Sequence, residues 1–221
     1  MIKGNIVKVK ERIPSSVTLV AVSKGRTIEE IREAIAAGIT DIGENKVQEA
    51  LAKYNKLSTI DYRLSTIRWH MVGHLQTNKV KDAVKIFDLI QSVDSLKLAQ
   101  EIDKQAAKIK KIQDILVQIK TSPEATKFGL RPEEAVGVTK EMSGLKNIKV
   151  KGLMTIAPIV DNPEKARPYF RIVKELYNRI NELSTIDYRL STISMGMTDD
   201  FKVAIEEGSN MVRLGRAIFE G

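Results

Sequence analysis

Eight short runs of β-branched and aliphatic residues alternate along the chain with amphipathic segments, and this alternation constrains the fold more than any other feature. The first run, VTLVAVSK over residues 17–24, has no internal turn signal and reads as a strand over 17–23 buried on both faces. Thr27 then caps a helix, Glu30 completes a capping box, and Ile28, Ile31, Ala34 and Ile35 mark the apolar face as far as Gly38. Further strands are predicted at 39–43, 68–72, 87–92, 112–120, 148–156, 188–194 and 210–214. Helices are predicted at 2–12, 43–54, 77–85, 95–108 behind an Asp94 cap, 132–142, 163–183 and 198–207. Eight strands alternating with helices in 221 residues call for an α/β fold, a (β/α)8 barrel of the TIM type with an extra N-terminal helix, as one domain over residues 1–221. A doubly wound open sheet is the other α/β solution, but no G-x-G-x-x-G follows the first strand.

Composition removes several classes of function. There is no cysteine, so neither a disulfide framework nor thiolate chemistry is expected. With no N-terminal apolar segment and no long apolar span, the chain reads as a soluble cytoplasmic protein with no membrane partner. Lys and Arg number 36 against 28 Asp and Glu, a net charge of +8 that favours anionic ligands. The basic residues are nonetheless interleaved with acids, and the one dense patch, KQAAKIKK at 104–111, reads as the solvated end of a helix rather than a nucleic-acid footprint. An eleven-residue segment, LSTIDYRLSTI, occurs identically at 57–67 and 183–193; the first copy reads as an extended surface loop and the second runs into the seventh strand.

Candidate chemistry gathers at predicted strand C-termini, which meet at one rim of a barrel. Lys24 follows strand 1, Glu44 and Asn45 follow strand 2, and His70 and His74 surround the end of strand 3. Ser194, Met195, Gly196, Met197 and Thr198 follow strand 7, and Arg213, Leu214, Gly215 and Arg216 follow strand 8. Small and hydroxylated residues turning into a helix offer backbone N–H groups to a phosphate, Gly215 allows close backbone approach, and Arg213 and Arg216 supply charge. His70 and His74 are four apart, which brings imidazoles together on a helix but not on a strand, so no metal site is expected. Neither a Ser/His/Asp order nor a pair of carboxylates stands out, and Glu29 and Glu30 are helix-start acids. An amine at the end of a buried strand, its pKa lowered by burial, and a phosphate cradle across the rim suit a phosphorylated aldehyde held as a Schiff base, of which pyridoxal 5′-phosphate is the obvious case.

The motifs LVAVSK (19–24), GENKVQEA (43–50), WHMVGHLQTNK (69–79), KFG (127–129), KGLMTI (151–156), SMGMTDDF (194–201) and VRLGRAIF (212–219) resemble, in order, those of the pyridoxal phosphate homeostasis proteins of the YggS/PROSC type. The resemblance spans nearly the whole chain. It implies a barrel like the N-terminal domain of alanine racemase, with Lys24 as the Schiff-base lysine and Arg213 facing the pyridine nitrogen. It further implies a phosphate held by Ser194, Met195, Gly196, Thr198, Gly215 and Arg216, with Asn45 and His70 beside the ring. Three features depart from the family pattern: Lys46 after GEN, Glu220 after IF, and the 57–67 segment. The function implied is pyridoxal phosphate binding in vitamin B6 homeostasis without catalytic turnover, by a monomer that passes cofactor to apoenzymes. A weak racemase or lyase using the same lysine is the alternative. An arginine at the pyridine nitrogen argues for the first reading, because it disfavours protonation of that nitrogen and weakens the ring as an electron sink.

Overall fold

A computed structural model describes residues 1–60, 66–122, 124, 128–183 and 189–220. Eight parallel strands pair in chain order and close on themselves: β1 (Thr18–Val22), β2 (Asp41–Glu44), β3 (Arg68–Met71), β4 (Leu89–Val93), β5 (Gln113–Gln118), β6 (Ile148–Met154), β7 (Thr192–Ser194) and β8 (Met211–Leu214). Closure comes from β1, which pairs Val22 with Gly43 on one side and Ala21 with Leu214 on the other. The expected barrel is therefore present, and no edge is left unpaired. Helix α1 (Ile2–Lys10) precedes it; α2 (Ile28–Ala36), α3 (Val47–Ile60), α4 (Val80–Ile86), α5 (Leu96–Lys108), α6 (Pro132–Ser143), α7 (Arg167–Leu183), α8 (Phe201–Glu206) and α9 (Arg216–Phe219) surround it. Among the described residues no helix is long and apolar enough to cross a membrane.

Two cores follow from strand alternation. Outward residues such as Ala21, Ile42, Ile90, Ile115 and Ile193 pack against the helices, where α7 presents Phe170, Val173, Leu176 and Ile180 at helical spacing. Each such side chain contributes ~1.5–3 kcal/mol when fully buried. Inward residues Val20, Leu89, Leu116, Met154 and Met211 form a separate small cluster inside the barrel. That cluster is too small to fill the interior, and the remainder is polar.

Several boundaries differ from expectation for local physical reasons. The Thr27–Glu30 capping box is present as anticipated. The helix expected from residue 43 begins at Val47, because Gly43 and Glu44 are held in β2 by pairing with His70 and Met71. Ser95, not Asp94, caps α5: its hydroxyl accepts from Leu98 N–H at 3.3 Å. The helix expected at 198 starts at Phe201, since 195–200 form the rim turn. The first LSTIDYRLSTI copy is helical through Ile60 as the end of α3, not an extended loop. Its residues 61–65, the 184–188 part of the second copy with the expected start of strand 7, Lys127 of the KFG motif, and Gly221 lie outside the described residues. The 104–111 patch does not end in a solvated lysine. Lys111 Nζ donates to Val84 O and Phe87 O at 2.8 and 2.7 Å, tying α5 to the end of α4, and burial pulls its pKa down.

Candidate functional site

Parallel strands put their C-terminal ends, and so Lys24, Asn45, Gly73, His74, Met195–Thr198 and Gly215–Arg216, at one rim. Lys24 stands two residues past Val22, the last residue of β1, and Val22 lies beside Gly215, so the lysine neighbours the turn after β8. The sequence reading placed its amine in a buried site. The structure corrects this: Lys24 is exposed, because the strand ends before it and the side chain clears the packed interior. Its Nζ has no hydrogen-bond or ion-pair partner among the described residues.

Below the rim, five strands contribute one buried polar chain. Arg213 Nη1 donates to Ser194 Oγ at 2.6 Å, and Ser194 Oγ donates to Gln91 Oε1 at 2.6 Å. Gln91 Nε2 donates to His70 Nδ1 at 2.9 Å, which leaves His70 Nε2–H to donate to Asp41 Oδ1 at 2.8 Å. Every donor points from the arginine toward the aspartate, an arrangement in which the bonds polarise one another. Arg213 Nη2 also donates to Thr155 O at 2.8 Å. Burial pulls the guanidinium down to about 10, against the field of Asp200, so it remains a cation at neutral pH. Burial alone would raise Asp41; hydrogen bonds from His70 and Thr40 outweigh it and hold the carboxyl below its ordinary value.

Three of the expected site residues have partners within the protein. His70 sits below the rim, inside the barrel, fully buried, with both ring nitrogens engaged. Ser194 engages its hydroxyl with Arg213 and Gln91. Met195 is buried in the outer core and its N–H donates to Met211 O at 3.1 Å. His74, outside the barrel interior, pairs with Asp94 at 3.2 Å and stacks on Phe128.

The remaining rim residues do come together. Gly196 is required by its left-handed backbone, φ +96°, and by the approach of α8, where a Cβ would meet Ala204 Cβ at 2.7 Å and Phe201 Cα at 2.9 Å. Gly73 allows the β3 turn to close on Asn45, whose carbonyl oxygen would be 2.4 Å from a Cβ there. Thr198 Oγ1 accepts from Ala217 N–H at 3.4 Å and joins the two turns, and Arg216 pairs with Asp199. Gly215 differs from these. Its φ is −110°, and a Cβ would meet only Val22 at ordinary contact distances, so neither backbone nor packing asks for glycine. A close approach by something outside the protein would. Asn45 Oδ1 is buried without a partner at the same rim. These features fit a phosphorylated ring compound. The departing Glu220 pairs with Arg26, binding the last turn to the segment after Lys24.

Sequence reasoning missed Gln91 and Asp41. A lone glutamine inside the apolar run LIQSV was the available signal for the first, since a buried amide needs partners.

An eight-stranded barrel with an unpartnered lysine at its rim defines a class, and residues 1–221 match the alanine racemase N-terminal domain model. Alanine racemase of Clostridium difficile 630 superposes with a TM-score of 0.82 at 17% identity, covering 98% of this chain and 58% of that one, a likeness of fold. The pyridoxal phosphate homeostasis protein of Aquifex aeolicus is 43% identical over 201 residues, 91% of this chain and 85% of the relative. That of Synechocystis is 39% identical over 207 residues, 94% and 92%. PipY of Synechococcus elongatus PCC7942, solved with pyridoxal phosphate bound, superposes with a TM-score of 0.91 at 34% identity, covering 99% of this chain and all of that one. The chain belongs to the pyridoxal phosphate homeostasis protein family.

Proposed function

We propose that residues 1–221 act as a single barrel domain that binds pyridoxal 5′-phosphate on Lys24 as a Schiff base and serves cytoplasmic vitamin B6 homeostasis as a carrier, without catalytic turnover. The observation that carries this reading is the unpartnered Lys24 amine two residues past Val22, which lies against Gly215, the rim glycine that the protein's own packing does not require. Bound cofactor would supply an aldehyde for amine capture and a pyridine ring able to withdraw electrons from an attached amino group.

The chain's own residues divide the remaining work. Backbone N–H groups of Gly196, Thr198, Gly215 and Arg216 would hold the phosphate, with the Arg216 guanidinium adding charge. Asn45 would offer its unpartnered side-chain oxygen. Arg213, aimed by Ser194 and Thr155, would donate to the ring nitrogen. A guanidinium that stays charged up to about pH 10 cannot accept a proton there, so it opposes ring protonation across the physiological range. This is the support for a quiet carrier over a racemase or lyase. Apoenzymes that use the cofactor are the proposed recipients, and a monomer is the proposed working unit.

Borohydride reduction of protein incubated with pyridoxal phosphate, followed by peptide mapping, tests the assignment. The expected result is a pyridoxyl group on Lys24 alone and none in Lys24→Ala; modification at another lysine refutes it.

A further inference from the structure

The two peptide groups that flank Lys24 are gripped by a single turn of α3. Lys53 Nζ donates to Ser23 O at 2.6 Å, holding the carbonyl before the lysine. Glu49 Oε1 accepts from Gly25 N–H at 2.6 Å, holding the amide after it. Lys53 and Glu49 bond each other at 2.7 Å across one helical turn, so the grip is one rigid unit. Its anchor is Glu44, fully buried at the end of β2, which accepts from Lys53 Nζ at 2.7 Å and from the Ser23 hydroxyl. The three Lys53 protons are thus all committed, and the amine is almost wholly buried. Ser23 is further held by its N–H, which donates to Gly43 O at 2.9 Å. Ion pairs on a helix surface usually contribute little. This one is different in kind, because its atoms are spent on the backbone of a neighbouring loop.

We propose that Glu49 and Lys53, anchored by Glu44, are positioning residues that fix the backbone of Lys24 and so aim its amine into the rim. The inference rests on the reading of Lys24 as the amine that captures the cofactor. Both dihedral angles of Lys24 lie between the two held peptide groups, so releasing either lets the amine sweep the solvent around the rim. The long side chain keeps its own rotamer freedom, and a fixed backbone is what confines it to one side of the barrel mouth. Glu49 and Lys53 also line a hollow of about 520 Å³ between α2 and α3, so trimming Glu49 admits water instead of collapsing the core.

The test compares Glu49→Ala, Glu49→Asp and Glu49→Gln with wild type. In protein without cofactor, amide hydrogen exchange across residues 23–26 should rise by about tenfold or more in Glu49→Ala and Glu49→Asp, because the shorter side chains no longer span Gly25 and Lys53. With pyridoxal phosphate added, the Lys24 amine displaces the aldehyde oxygen as water and borohydride delivers hydride to the new C=N bond. Capture on Lys24 should slow by about tenfold in the same two variants. Glu49→Gln keeps an oxygen acceptor for both partners and should stay near wild type. Affinity for pyridoxine 5′-phosphate, which has no aldehyde, should remain within about twofold throughout, since positioning of the amine does not touch phosphate binding. Glu49→Asp, which retains the charge, decides the matter if Glu49→Ala does not fold. Wild-type exchange and capture in folded Glu49→Asp would overturn the inference, as would an equal loss of pyridoxine phosphate affinity. Failure of wild type itself to be captured on Lys24 would overturn the underlying reading, and shows before any variant is made.

Discussion

Gln91→Leu cuts the interior chain at its middle while nearly preserving side-chain volume. Three contacts are lost: the donor to His70 Nδ1 at 2.9 Å, the acceptor for Ser194 Oγ at 2.6 Å and the weak donor to Met211 Sδ at 3.2 Å. His70 Nδ1 is then buried without a partner, and Ser194 keeps only its bond from Arg213. Leaving a buried polar group unsatisfied costs about 1–3 kcal/mol, so two such groups cost about 2–4, Ser194 counting at the low end. The leucine side chain recovers about 1 kcal/mol by apolar contact with Met211 and its neighbours. A net loss of about 1–3 kcal/mol in urea unfolding follows, or about 2–12 °C in Tm for a domain of this size. Gln91→Glu serves as a comparison, since it keeps the acceptor for Ser194, removes the donors to His70 and Met211, and puts a carboxyl group in their place. A Gln91→Leu protein within about 0.5 kcal/mol of wild type would refute the view that the chain is a satisfied unit whose parts depend on one another.

Gly215→Ala should leave Tm nearly unchanged, because its Cβ finds only ordinary contacts, while pyridoxal phosphate affinity by titration falls about tenfold or more; equal affinity would move the phosphate elsewhere. Gly196→Ala should instead destabilise the fold by about 2–4 kcal/mol in chemical denaturation, combining a left-handed backbone with a clash against α8. For pH, Asp41 is held below its ordinary value of 3.8, so its contribution is fully present above that value and is lost as pH falls through the lower folded value. Unfolding followed over pH 2 to 5, roughly that window, should show a slope that Asp41→Asn flattens; an unchanged slope would remove Asp41 from the acid response. Arg213→Glu, if it still takes up cofactor, should exchange the α-hydrogen of an added amino acid with deuterated solvent faster than wild type by NMR; rapid racemisation by wild type would defeat the carrier reading.

Features that depend on neighbours along the chain were legible before folding. Apolar β-branched runs and amphipathic segments between them carried the order of strands and helices, and the Thr27–Glu30 box marked a helix start because its atoms lie within one turn. Lys24 at the end of VTLVAVS and the glycines at 196 and 215 were legible as rim residues, since parallel topology sends every strand's C-terminus to one side. Tertiary structure alone decided the interior. The chain from Arg213 to Asp41 joins residues 19, 103, 21 and 29 positions apart on five strands, and no local pattern carries that information. His70 read as a rim residue because it lies near the C-terminal end of its strand, yet closure of the barrel placed it inside, where its nitrogens require partners. In the same way Glu49 and Lys53, four apart on α3, carry no local sign of a role beyond their own helix. Only the packing of α3 beside the end of β1 turns them inward, because a helix pair can hold a distant loop's backbone once the barrel has brought that loop within hydrogen-bond reach.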